Sequence, residues 1–181
     1  GLCSAEKIRI VDHREIFAGY EEYLPTFNSL SIESMLWNIK GLSDFFVYLN
    51  DDFFFNAPAC LEDFFRAEKI VTHGHWQSAY PVRMKCALRQ CINNIFARPH
   101  QPKHTVSQML GAEMLGMNKF FNIHHHPHSV DGKLLGAYLQ QHADVLRKQI
   151  RHRFRSIEQF NPVSLITHLK VQAGEAVLEP D

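Results

Sequence analysis

SIESMLWNIKGLSDFFVYLN, residues 31–50, decides how this chain is read. Ile32, Met35, Leu36 and Ile39 recur at the spacing of one helix face, and Gly41 stands where a helix ends in a left-handed residue. Ser29 or Ser31 offers an N-cap, after a loop, YLPTFNS, carrying a proline and an Asn-Ser pair. The run DFFVYLN that follows is apolar on both faces, which predicts an interior strand of a sheet covered on both sides. Upstream, residues 7–11 (KIRIV) alternate like a strand and DHREIF reads as the loop leaving it. Strand, helix and strand alternate, so the class is α/β with a layered core.

Further along, LEDFFRAEK reads as a loop or short helix and KIVT as another strand. Residues 81–97 turn helical, with Met84, Leu88, Cys91, Ile92 and Ile95 forming one apolar stripe. Residues 105–115 and 133–150 are predicted helices, as is 161–171, where Asn161 before Pro162 fits an N-cap and first helical position. The C-terminal half is therefore helix-rich. GEAVLEPD reads as an exit segment, with 175–181 as a flexible tail.

The 181 residues, 45% hydrophobic, suffice for one core, so a single domain over 1–181 is expected. Lys plus Arg equal Asp plus Glu at 19 each, which gives no net field for nucleic acid or an anionic membrane. Apolar runs fall short of the ~20 residues a membrane span needs, and nothing resembles a signal peptide. Cys3, Cys60, Cys86 and Cys91 form no CxxC pair and read as reduced thiols, which favours a cytoplasmic setting. The chain starts at Gly1 rather than Met and reads as a piece of a longer protein.

Four constellations could carry chemistry. Asn50, Asp51 and Asp52 end the predicted strand, in the crevice where α/β sheets hold ligands. Two carboxylates there suit a hard cation such as Mg²⁺; the competing reading is an Asx-turn that merely ends a strand. Glu33, in the first turn of the predicted helix, is either a dipole-stabilised surface carboxylate or a second acidic site residue. HHHPH, residues 124–128, is a zinc-binding loop, an exposed polar loop, or the source of a general base for an acceptor hydroxyl. RKQIRHRFR, residues 147–155, is a solvated helix face or an arginine clamp for phosphate.

Several segments together resemble the Stealth family of capsular polysaccharide phosphotransferases, whose animal relatives include the N-acetylglucosamine-1-phosphotransferase. LPTFNSLSIESMLWNIKGLSDFFVYLNDDFFF resembles its second conserved region, HHPHSVDGKLL its third and FRSIEQFNPVSL its fourth. The family's first region, a strand ending in a tryptophan-valine-aspartate type motif, has no counterpart. The resemblance implies a mostly parallel layered sheet like that of nucleotide-sugar transferases. It further implies transfer of a hexose 1-phosphate from a nucleotide-sugar donor to a hydroxyl of a saccharide acceptor, forming a phosphodiester. By matching positions, Glu33, Asp51 and Asp52 are the acidic site residues, Asp52 then Asp51 being the contacts for Mg²⁺ or Mn²⁺. His125 is the general base, with His128 second and His126 one register away. Arg155, with Arg153 behind it, holds phosphate, and Asn28, Ser29 and Asn50 contact substrate. Peripheral association with the inner face of a membrane would come through regions outside this chain, and nucleic acid is not a partner. The alternatives are a zinc-binding or interaction module built on HHHPH, and a family member that binds without reacting.

Overall fold

The computed structural model describes residues 8–180, and their architecture is mixed α/β. The chain opens with irregular backbone and α1 (His13–Ile16), where Asp12 accepts a hydrogen bond from the Arg14 amide and so supplies the cap. After a 3₁₀ turn come α2 (Ser29–Glu33), a second 3₁₀ turn and β1 (Phe45–Tyr48). A third 3₁₀ turn leads into β2 (Phe65–Arg66) and β3 (Lys69–Ser78). Then follow α3 (Ala79–Ile95), α4 (His104–Glu113), β4 (Lys119–Ile123) and β5 (His128–Asp131). The chain closes with α5 (Gly132–Gln141), α6 (Ala143–Ile150), α7 (Pro162–Gln172) and β6 (Ala176–Glu179).

The expected mostly parallel sheet is not what forms. β1 pairs antiparallel with β5, with Tyr48 opposite His128. β3 pairs antiparallel with β2 and β4, and only its partnership with β6 is parallel. Hairpin geometry explains the first of these pairings: Ala67 and Glu68 both adopt positive φ, as a two-residue primed turn requires, so the chain reverses onto itself. At Gly74 the β3 and β4 backbones come so close that a Cβ would lie 2.2 Å from the Asn122 carbonyl oxygen. β1 is not an interior strand either. Among the described residues β5 is its one ladder partner, and Phe45 stays exposed while Phe46 to Tyr48 are half-buried. Its apolar content on both faces reflects partial cover by α5 and by Lys170, whose ammonium lies over the Phe45 ring.

Other expectations shift for identifiable local reasons. Lys7 lies outside the described residues; Ile8 to Val11 form no strand, and DHREIF becomes α1 because Asp12 caps it. The long helix expected from residue 31 stops at Glu33. Ser34 Oγ donates back to the Leu30 carbonyl at 2.7 Å and Trp37 Nε1 to the Ser34 carbonyl at 2.8 Å, diverting backbone acceptors from a continued ladder. Gly41 does take the left-handed conformation, φ 78°. The helix expected over 133–150 breaks at His142, whose ring stacks on Tyr138 and whose backbone and imidazole both engage the Tyr138 carbonyl. The supposed tail becomes β6: Ala176 and Leu178 pack on the main core, and Glu179 pairs with Arg66. α7 begins as expected, with Asn161 Oδ1 accepting from the Ser164 amide at 2.8 Å.

The main core gathers Phe17, Met35, Leu139, Leu146, Ile150 and Leu165. α3 stands apart, since its apolar stripe faces outward, with Leu88 64% and Ile95 72% exposed. Among the described residues no helix is long and apolar enough to cross a membrane.

Candidate active site

A buried polar junction fixes the site's arginine. Asn28, fully buried, donates to the His152 carbonyl (2.9 Å) and to Gln159 Oε1 (2.8 Å). Gln159 reaches Ser31 Oγ and the Gln149 carbonyl, and the Gln149 amide brackets Phe160 through both its N–H and its C=O. These bonds stitch α2 to the segment after α6 and bring Arg155 over Ser29, whose Oγ accepts from Nε at 3.2 Å and from the terminal nitrogen at 2.6 Å. Asn28 therefore positions the site from beneath. Both its amide hydrogens are spent inside the protein, while its Oδ1 has no partner among the described residues.

Above this junction lies an open cleft of about 220 Å³, lined among others by Glu33, Tyr48, Asn50, His104, His125 and Arg155. The antiparallel pairing of β1 and β5 is what assembles it: the end of β1 delivers Tyr48 and Asn50 beside the start of β5, which carries the HHHPH loop.

Glu33 is the last residue of α2, not a first-turn carboxylate, so the helix dipole does not stabilise its charge. It is 8% exposed, and burial pushes its carboxyl up to about 7, against weaker opposing pulls from Tyr48, Arg155 and Ser29. Tyr48 Oη lies 3.2 Å from Glu33 Oε1 and 2.9 Å from Asn50 Oδ1. A phenol has one proton to give. When Glu33 is protonated it can donate to Tyr48, which then donates to Asn50; when Glu33 ionises it draws the Tyr48 proton and leaves Asn50 Oδ1 free to accept from, or ligate, something in the cleft. Burial, and then the Glu33 charge, push the Tyr48 phenol well above its ordinary range, so it remains a donor.

Asp51 and Asp52 are exposed beyond Asn50, and His125 Nε2 lies 3.9 Å from Asp52 Oδ2 with its ring edge-on to Phe53. This pair puts an imidazole and a carboxylate at the cleft mouth. The other histidines of the loop diverge. His124 meets His75 at 3.0 Å; His126 turns to β3, facing the His73 and Pro127 carbonyls. His128 is buried with Nδ1 lacking a partner, and burial, reinforced by neighbouring histidines, holds its pKa down at about 3. Among the described residues no three His, Cys, Asp or Glu side chains converge to hold a metal.

Of the basic run, only Arg155 lines the cleft. Arg153 stacks over Phe27 and Phe154, and Arg151 pairs with Glu158. Sequence reasoning missed Tyr48 and His104. Tyr48 was available from strand alternation, standing two residues before Asn50 on the same face; His104, far off in sequence, gave no such signal.

Residues 3–73 match the model of Stealth protein CR2, conserved region 2. An exopolysaccharide phosphotransferase of Streptomyces coelicolor is 55% identical over 62 residues, 34% of this chain and 10% of that protein. The receptor polysaccharide phosphotransferase WefC of Streptococcus gordonii is 29% identical over 191 residues, covering 95% of this chain and 56% of that protein. The capsular polysaccharide phosphotransferase LcbA of Neisseria meningitidis is 48% identical over 65 residues, 36% of this chain and 17% of that protein. The chain thus spans about half, or less, of the length of these relatives. The second-region motif lies on α2 and β1, beside the cleft that Glu33, His125 and Arg155 line, so the chain is similar to Stealth proteins over their conserved region 2.

Proposed function

We propose that this chain carries the reaction centre of a polysaccharide phosphotransferase that moves a hexose 1-phosphate from a nucleotide sugar to a saccharide hydroxyl. The observation that carries this reading is the meeting, around one cleft, of a histidine beside a carboxylate, an arginine held through a serine hydroxyl, and a buried carboxyl. The names of the relatives support the polysaccharide and phosphoryl parts of it.

In this reaction the acceptor O–H bond breaks and an O–P bond forms to the sugar phosphate. The P–O bond to the nucleoside monophosphate breaks, and its electron pair leaves with that group. His125 takes the hydroxyl proton, and Asp52 beside it steadies the imidazolium that results. Arg155 exchanges its hold on Ser29 for the diphosphate oxygens, two N–H groups of its planar fork meeting two phosphate oxygens. Asp51 and Asp52, adjacent exposed carboxylates, fit a hard cation that takes one or two carboxylates and completes its shell with substrate oxygens. Mg²⁺ or Mn²⁺ bound there would neutralise diphosphate charge. A nucleotide-sugar donor fits a cytoplasmic site, with any membrane contact supplied by other regions.

The test is release of nucleoside monophosphate by the full-length protein across a panel of nucleotide sugars, with a saccharide acceptor and Mg²⁺ or Mn²⁺. Acceptor-dependent release with one donor is expected. A folded protein that releases none from any donor overturns the reading.

A further inference from the structure

The loop before α4 brings His104 to the cleft wall, beside Lys103 and near His125 and Arg155. Its Nδ1 lies 3.0 Å from Gln108 Nε2, one helical turn on. An amide is normally ambiguous in such a contact because its nitrogen and oxygen can be exchanged. Here the backbone removes the ambiguity. Gln108, fully buried, receives the Ile123 N–H on Oε1 at 2.7 Å and gives Nε2–H to the Ile123 carbonyl at 2.9 Å. Exchanging the two atoms would set donor against donor and acceptor against acceptor in a buried site, leaving both Ile123 backbone groups unsatisfied. Gln108 therefore presents an N–H to His104, and His104 Nδ1 has to accept it.

The proton of the neutral imidazole then sits on Nε2, the nitrogen that Gln108 does not engage, in a residue that lines the cleft. His168 shows the contrast within one chain. Its Nε2 accepts the Phe121 amide and its Nδ1 faces the Ser164 carbonyl, so both nitrogens are used by the fold. In His104 the fold uses Nδ1 alone, and among the described residues Nε2 has no hydrogen-bond partner.

We infer that His104 is a substrate-binding residue held by Gln108 as the Nε2–H tautomer, and that it donates this hydrogen bond to a phosphoryl oxygen of the bound diphosphate. The ligand class rests on the proposed function; the tautomer does not. An uncharged, fixed donor complements Arg155 across the cleft, because it stabilises charge on phosphate oxygen without the reorganisation a mobile lysine requires. Gln108 is a positioning residue. Since it also clamps the last residue of β4, the side chain that orients His104 also anchors the start of the histidine loop.

The experiment uses the full-length protein labelled with ¹⁵N-histidine, with inorganic pyrophosphate as the probe. The ¹⁵N shifts of His104 at neutral pH are expected to report the neutral Nε2–H form; an Nδ1–H form or an imidazolium overturns the proposal. Pyrophosphate affinity is expected to fall about tenfold in His104→Ala and to stay within about threefold in His104→Gln, whose amide places an N–H near the lost Nε2. No pyrophosphate binding by the unaltered protein, or equal affinity in His104→Ala, overturns it as well. Gln108→Glu, which can only accept when ionised, is expected then to switch the tautomer to Nδ1–H and to weaken pyrophosphate as His104→Ala does; an unswitched tautomer in a folded variant at a pH where the new carboxyl is ionised refutes Gln108 as the orienting group. Both readouts are independent of turnover. A protein that never releases nucleoside monophosphate but shows the tautomer and the affinity loss refutes the proposed function while leaving this inference standing.

Discussion

Glu33 and Asp52 come from one conserved stretch, yet α2 sinks the first into the cleft wall while the end of β1 holds the second out in solvent at 65% exposed. A buried carboxyl whose pKa lies near neutrality can exchange a proton or share one with Tyr48. An exposed carboxylate beside a second aspartate can attract a cation and steady His125. The difference teaches that the spacing of acidic residues in a motif does not assign their chemistry; the depth to which each element carries them does.

Removing the exposed charge is expected to have the largest effect. Asp52→Asn is expected to lower transfer about a thousandfold, roughly 4 kcal/mol of barrier, with the unfolding midpoint unchanged. Steady-state release of nucleoside monophosphate and circular dichroism check the two halves. A variant that has lost activity because it has unfolded would put Asp52 on the structural side.

Next comes the buried charge, read through stability. Glu33 is raised in the folded state to about 7 from 4.5, so the folded protein holds this proton where the unfolded chain has released it. Its contribution is therefore complete below pH 4.5 and is lost as pH rises to 7, by about 3 kcal/mol. His128 works in the opposite sense. With its folded pKa near 3, its contribution is complete above pH 6.5 and fades as pH falls. Glu33→Gln should remove only the first effect, leaving the variant more stable than the parent at pH 8 and equal to it near pH 4. Chemical unfolding across that range measures the difference, and a constant gap at all pH values would mean that Glu33 is not the titrating group.

How much of this was legible beforehand follows the same line between local and non-local causes. The strand of residues 45–48 was readable from composition, and the start of α7 from Asn161 and Pro162, because strand propensity and caps are encoded within a few residues. Sheet direction was not, since it depends on which strand arrives beside which. β5 reaches β1 from eighty residues downstream, and nothing in DFFVYLN says whether its partner runs with or against it. The cleft was legible in part. Glu33, Asn50, His125, His128 and Arg155 all line it, because motif resemblance carries positions that local rules cannot. Asn28 and Arg153 showed the limit: the first is held by a network closing between residues 28 and 159, and the second by stacking on Phe27.

A smaller effect separates the two arginines. Arg155→Ala is expected to raise the KM for the nucleotide sugar or lower turnover by about 30-fold, the scale of a charged hydrogen bond at about 2 kcal/mol. Arg153→Ala, which removes a guanidinium stacked on exposed rings, should change turnover less than threefold. Equal losses in both variants would make the run a general electrostatic field, with a matching salt dependence, in place of a single clamp.

The smallest expected effect joins the two carboxylate regions, because Tyr48 touches Glu33 and Asn50 together. Tyr48→Phe removes one hydroxyl and should cost about 1 kcal/mol, or less than tenfold in turnover. Its sharper consequence is on titration. The Tyr48 hydrogen bond favours ionised Glu33, so losing it should move the Glu33 carboxyl above its present value of about 7. The midpoint of the pH range over which the stability of the parent falls away from that of its Glu33→Gln counterpart should therefore rise when both carry Tyr48→Phe. Were that midpoint to stay where it is, the phenol would be bonded to Asn50 alone, and the buried and exposed halves of the site would titrate independently of each other.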